Sequence, residues 1–229
     1  ELQQQKVEQS ERYKKAMLQK MFPQKGEKVP RVRFAGFSGD WNITNLGSLG
    51  KVKSGVGFPE AEQNSVGEIP FFKVSDMNLP GNENLMINAN NYVNQTQIIS
   101  NKWKVIDDIP SIIFAKVGAA IFLNRKRLVN SPFLIDNNMM AYSFDKTWDQ
   151  NFAKTLFDTL FLHRFAQVGA LPSMNGSDIT SIKVLIPLKE EQTQIGNFFQ
   201  KLDQNIESEK KKLEQYQTMK RAMLQRMFV

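Results

Sequence analysis

"IGNFFQKLDQNIESEKKKLEQYQTMKRAMLQRM", residues Ile195–Met227, decides how the rest of the chain is read. Steps of four and three residues in turn land on Ile195, Phe199, Leu202, Ile206, Glu209, Leu213, Tyr216, Lys220, Met223 and Met227. All but Glu209 and Lys220 are apolar. Such a pattern, kept over four heptads or more, is the seam of a coiled coil. The intervening KEEQTQ, DQN, ESEKKK and QTMKR are solvated faces. A helix with so narrow an apolar stripe needs a partner helix.

The chain offers one candidate partner near its start. "KKAMLQKMF" at Lys14–Phe22 is nearly the same phrase as "KRAMLQRMF" at Lys220–Phe228, and the match extends back through Glu8 and Gln9 against Glu214 and Gln215. Val7, Met17 and Met21 fall on the equivalent stripe, which Ser10 and Lys14 weaken. Pro23, Gly26 and Pro30 end this helix, since proline removes a donor and fixes φ. The two copies are too far apart for a solenoid, whose repeats run about 20–50 residues. They read as one element used twice to frame a domain.

The text between them is different. "VPRVRFAGFSGDW" (Val29–Trp41) is extended. Runs Ile69–Val74, Ser111–Leu123, Leu128–Ile135 and Met139–Phe144 predict strands, separated by Asn-rich loops. Phe152, Leu156, Phe157, Leu160 and Phe161 predict a helix over 151–168. "GALPSMNGSDIT" is a loop and "SIKVLIPL" a closing strand. The expected architecture is α+β, with helix at 1–22, linker at 23–40, a mixed domain at 41–188 and a second helix at 189–229. The two helices form or join an antiparallel coiled coil.

Composition narrows the function. The 229 residues carry 30 Lys+Arg against 23 Asp+Glu, a net charge of +7. That balance favours a polyanionic partner, of which nucleic acid is the commonest. Cysteine is absent, so no disulfide framework argues for secretion. No apolar run reaches the roughly 18 residues of a membrane span, and no signal peptide is visible, so the expected location is cytoplasmic. The first residue is Glu1, inside a helical pattern, which reads as a fragment, a processed product or an excised piece of a longer protein.

No catalytic constellation emerges, and no cofactor or metal is expected. One histidine, His163, and no cysteine cannot fill a zinc site, and His163 lacks the orienter and nucleophile of a catalytic group. "FAGFSG" (Phe34–Gly39) is not followed by a helix, as a cofactor turn would be, and "NSPF" (Asn130–Phe133) lacks the first proline of the Asn-Pro-Pro-Phe loop of amino-methyltransferases. The cluster "NRKR" (Asn124–Arg127) reads as a hairpin tip aimed at a phosphate backbone, so the expected phosphate contacts are Arg125, Lys126, Arg127, Lys53 and Lys73. Base reading is assigned to Ser54, Asn78, Ser173 and Asn175, polar residues in or beside loops.

Taken together, "KKAMLQKMFP" followed by "VPRVRFAGFSGDW", the helix opening "IPLKEEQTQIGNFFQKLDQNI" (Ile186–Ile206), "WNITNLGSL" and "LPSMNGSDITSIKVLIP" resemble the specificity subunit of Type I restriction-modification systems, over essentially the whole chain. The resemblance implies a non-catalytic protein. It further implies a target-recognition domain reading one half of a bipartite site in double-stranded DNA, and helices that act as spacer and are gripped by methyltransferase subunits, through which restriction subunits attach. A full subunit of that family has two such domains, so this chain resembles the C-terminal half. Phe199, Leu202, Ile206, Leu213, Tyr216, Met223 and Met227 are then the helix interface, covered by the N-terminal helix, a second copy or the other half of the subunit. The competing expectations are a fragment of a small DNA adenine methyltransferase and a coiled-coil protein without DNA function.

Overall fold

Strand β5 (Ser111–Ala115) is buried at every position, and the reason organises the domain. The computed structural model describes residues 2–167, 169 and 171–227, with all their side chains but those of Arg226 and Met227. In it β5 lies inside a four-stranded antiparallel sheet of order β2-β8-β5-β6, with β2 Gly50–Ser54, β6 Lys126–Val129 and β8 Met139–Phe144. Alternate residues of a strand face opposite sides of its sheet. Ile112, Phe114, Met140 and Tyr142 enter one apolar cluster with helix α3 (Gln150–Thr159), whereas Ile113, Met139 and Ala141 enter another with Phe72, Phe133 and Ile135. Both faces are covered, so the central strands β5 and β8 read as largely apolar runs.

A second sheet, β4-β3-β7, joins β3 (Ile69–Phe72) antiparallel to β4 (Tyr92–Val93) and parallel to β7 (Leu134–Ile135). Beside it Phe71, Trp103 and Phe58 make a third cluster with helix α2 (Gln95–Ser100). The short strands β1 (Asn42–Asn45) and β9 (Lys183–Ile186) pair antiparallel and bring the two ends of this α+β part together. The small helix α4 (Gly176–Thr180) leads into β9.

Two long helices stand at these ends. Helix α1 spans Leu2–Met21 and helix α5 spans Lys189–Met227 in one piece, as the heptad seam requires. They pack antiparallel: Gln3 Nε2 donates to Glu209 Oε2 at 2.5 Å, and Lys14 pairs with Asp203. Lys14, which interrupts the apolar stripe, therefore has an ionic partner on the facing helix and also lies 3.8 Å from Asp158 of α3. Burial would raise the Asp158 carboxyl, but Lys154 and Lys14 outweigh it and hold the group below the usual carboxylate range. The foot of α5 rests against α3. A Cβ on Gly196 would sit 2.6 Å from the Phe152 nitrogen, so glycine permits that approach.

Residues 23–40 are fastened rather than free. Arg33 grips Glu191 with two parallel bonds of 2.7 Å, and Glu191 is 1% exposed. Such a fork matches carboxylate geometry and excludes water. Phe34 meets Phe198 edge-on at 6.1 Å. Gln192 bonds the Pro187 carbonyl and accepts from the Asp149 amide. The Glu-Gln pair of the "KEEQ" stretch thus ties the linker, β9 and α3 to the start of α5.

Three element readings change. The run Leu128–Ile135 is not one strand: β6 ends at Val129 and β7 (Leu134–Ile135) belongs to the other sheet. The run 111–123 is not one strand: β5 stops at Ala115, Gly118 adopts φ 75°, and Ala119–Leu123 form a 3-10 turn. The predicted helix over 151–168 stops at Thr159, and a 3-10 turn at Leu162–Phe165 follows; Val168 lies outside the described residues. In each place apolar spacing continued past a backbone turn that spacing alone does not register.

Candidate nucleic-acid interface

The predicted polar residues fall into three groups. Lys53 and Ser54 end β2, opposite Ala141 and Met140. The loop carrying Ser173 and Asn175 lies beside this strand, where a Cβ on Gly176 would meet Val52 at 3.8 Å. Lys53 Nζ is 2.7 Å from Asp108, and the ammonium holds that carboxyl below its usual range. Asn175 caps α4: its side-chain oxygen accepts from the Asp178 amide and the Ser177 hydroxyl. Asn78 forms the second group, accepting from Arg125, while Arg127 leans on the Met77 carbonyl. Lys73 stands apart, donating to Gln63 Oε1 at 2.9 Å.

The "NRKR" cluster is not the tip it was expected to be. Strand β6 already begins at Lys126, opposite Phe114. Its side chain therefore points with Phe114 toward α3, and Lys126 is 1% exposed, with Nζ donating to the Leu160 carbonyl at 2.6 Å. An ammonium so enclosed cannot meet a phosphate, and Lys126 leaves the phosphate-contact set. Alternation gives the signal: Lys126 and Leu128 share a face. Burial pulls the ammonium down to about 8, with Asp158 opposing and Lys154 adding to the effect. Below pH 8 the lysine is protonated whether folded or not. Between pH 8 and 10.5 the unfolded chain holds the extra proton, so stability should rise with pH there, by about 3 kcal/mol in total. Urea unfolding of wild type and Lys126→Met across this window should show that rise only in wild type. A difference independent of pH would mean the ammonium is solvated.

The projecting tip is instead the 3-10 turn before Asn124, where Phe122 and Leu123 are 60% and 57% exposed. Sequence reading placed them inside a strand. Gly118 followed by two alanines was the available signal for a turn.

The helix interface divides in two. Phe199 and Ile206 are buried and Leu202 is partly buried against the core, but Tyr216 and Met223 are 58% and 59% exposed, with Leu213 between these extremes. The Met227 side chain lies outside the described residues. The repeated phrase is therefore used in two ways. Met21 and Phe22 of the first copy are buried among Trp41, Phe152 and Phe199. In the second copy Met223 and Leu224 are exposed.

The chain is thus an α+β domain carried on an antiparallel helix pair, with polar and cationic side chains in separate groups on its surface. Residues 38–217 match the Type I restriction modification DNA specificity domain, and the chain belongs to that family. Comparison with curated proteins returns no match. Among solved structures, the HsdS subunit from Thermoanaerobacter tengcongensis superposes with a TM-score of 0.65 at 17% identity, covering 92% of this chain and 47% of that one. A chain from a study of complex assembly and conformational transition of the type I R-M system gives 0.70 at 17% identity, covering 99% and 51%. The S subunit from M. genitalium gives 0.53 at 14%, covering 75% and 41%. At these identities the likeness is one of fold, and this chain spans about half the length of each of the first two.

Proposed function

We propose that this chain is a sequence-specific DNA-recognition half of a Type I restriction-modification complex, and that methylation and cleavage belong to partner subunits. The family match over 38–217 carries the reading, and the net charge of +7 suits it. On this reading 41–188 is the recognition domain, 23–40 a fastened linker, and 1–22 and 189–229 the helices that space it from a second half and dock methyltransferase subunits. Arg125, Arg127, Lys53 and Lys73 supply phosphate contacts; Ser54, Asn78, Ser173 and Asn175 supply contacts to bases. Methylome sequencing of cells carrying this chain with its methyltransferase partners tests the whole proposal. A bipartite methylated motif that disappears with the chain supports it, and methylation unaffected by its loss refutes it.

Phosphate contacts carry a measurable signature. Each phosphate neutralised releases about 0.9 of a counterion. Arg125→Ala in the assembled complex should weaken binding to every duplex similarly and flatten the log–log salt slope by about one. An unchanged slope would leave Arg125 as a brace for Asn78 alone.

A further inference from the structure

The 3-10 turn Ala119–Leu123 is built as a rigid, projecting point. Gly118 at φ 75° turns the chain out of the sheet, and Asn124 at φ 50° turns it back. Ile121 is 2% exposed and anchors the turn in the core. Asn124 clasps the neighbouring segment from both sides, donating to the Leu160 carbonyl at 3.1 Å and accepting from the Leu162 amide at 3.2 Å. The Gly118 amide donates to the Pro172 carbonyl at 2.8 Å, which brings the turn beside the loop that carries Ser173. On this frame Phe122 and Leu123 face solvent. Phe122 lies 5.9 Å from His163, which also meets Phe161, and the Arg164 guanidinium covers Phe161 at 4.8 Å.

The two stretches that build this point carry charge of one sign, while Asp158 and Glu83 lie near Arg127 at its edge. Ile109–Ile135 and Thr159–Ser177, the two stretches that build it, contain none of the 23 acidic residues of the chain. They do contain Lys116, Arg125, Arg127 and Arg164. An apolar point on segments whose own charges are all cationic fits a partner that is anionic outside and apolar within. Duplex DNA has that construction, with phosphate rails along a stack of bases, and apolar side chains such as Phe and Leu enter between base steps from its minor groove. A protein partner would instead need an acidic rim around an apolar socket.

We propose that Phe122 and Leu123 form an apolar wedge that enters the minor groove of the target and partly unstacks a base step, with Arg125 and Lys116 on the flanking phosphates. This inference rests on the DNA-recognition reading above. It adds to the polar readers a contact that senses how readily the target sequence deforms.

The test uses the complex of this chain with its methyltransferase partners and a duplex carrying its methylated motif, with 2-aminopurine placed in turn at steps within and beside the half-site. Wild type should raise the fluorescence at one step. Phe122→Ala/Leu123→Ala should abolish that rise and weaken target binding roughly tenfold or more, with the salt slope unchanged. Both side chains are exposed, so the melting temperature should stay put. Phe122→Leu should retain most of the fluorescence signal. If the double variant keeps affinity and signal while wild type binds with a steep salt slope, the wedge is wrong and the DNA-recognition reading stands. If the double variant instead loses assembly with the methyltransferase subunits, the point is a protein-docking site and the wedge is wrong. If wild type shows no salt-dependent DNA binding, the DNA-recognition reading fails and the wedge fails with it.

Discussion

Phe22→Ala should lower the stability of this chain by about 3–5 kcal/mol, the usual cost of truncating a buried phenylalanine. For a protein of this size that is a fall in melting temperature of roughly 10 °C. Phe22 is 4% exposed and sits between three aromatic rings, 5.8 Å from Trp41, 5.7 Å from Phe152 and 6.1 Å from Phe199. These come from the start of the α+β domain, α3 and α5, so one side chain holds α1 to three parts of the fold. Removing it leaves a cavity where they meet. Met223→Ala, in the second copy of the same phrase, should change the stability of the isolated chain by no more than about 0.5 kcal/mol, because Met223 is exposed there. Urea unfolding of the two variants measures both values. A cost below about 1 kcal/mol for Phe22→Ala would show that α1 docks without its aromatic plug.

That contrast marks what periodicity can and cannot convey. Heptad spacing found α5 along its whole length and paired it with α1, because an apolar stripe of that period has one physical use. It did not show where along the seam the cover ends. Ile195 and Tyr216 occupy the same heptad position, yet one is 2% exposed and the other 58%. What separates them is packing against the α+β domain, a tertiary fact. The interruptions of the stripe carried information of their own. Lys14 looked like a flaw in a coiled-coil seam, and it is an ionic contact with Asp203 and Asp158.

Within the α+β part, β8 was legible to the residue because its largely apolar run is bounded by polar turn residues, Asp136–Asn138 before it and Asp145–Lys146 after it. The tip was misplaced because four polar residues, Asn124–Arg127, look like a turn by composition. Strand alternation decides otherwise: Phe114 and Lys126 are cross-strand partners, so the lysine faces inward with the phenylalanine. The Glu191–Arg33 fork joins residues 158 positions apart, a pairing that neither residue announces alone. Site residues were chosen for polarity, but several of those side chains already serve the fold, as Asn175 does in capping α4. Residue type suggests capacity for recognition, while availability depends on neighbours that only the folded chain supplies.

Tyr216→Lys/Met223→Lys should abolish assembly through the outer half of α5 and leave the fold intact. Among the described residues Tyr216, Met219, Met223 and Leu224 are all exposed on this stretch, an apolar strip that a lone helix in water does not need. The first copy of its phrase shows what such a strip does when covered: Met21 and Phe22 fill an aromatic cleft. The same cleft on this domain is already filled by α1, so a second copy can pair through the strip only along α5, not by inserting its phrase into the cleft. A second recognition half with an unfilled cleft could accept the phrase as well. Each lysine should cost at least about 1.4 kcal/mol of association, a tenfold loss in affinity, and the two together about a hundredfold. Leu202→Lys, by contrast, should damage folding, since Leu202 packs against the core. Sedimentation at tens of micromolar checks the pair: wild type should show concentration-dependent self-association and the double variant a monomer with an unchanged melting temperature. A wild-type chain that stays strictly monomeric overturns self-association. A double variant that then also joins a separate recognition half as tightly as wild type would mean that the strip is no interface.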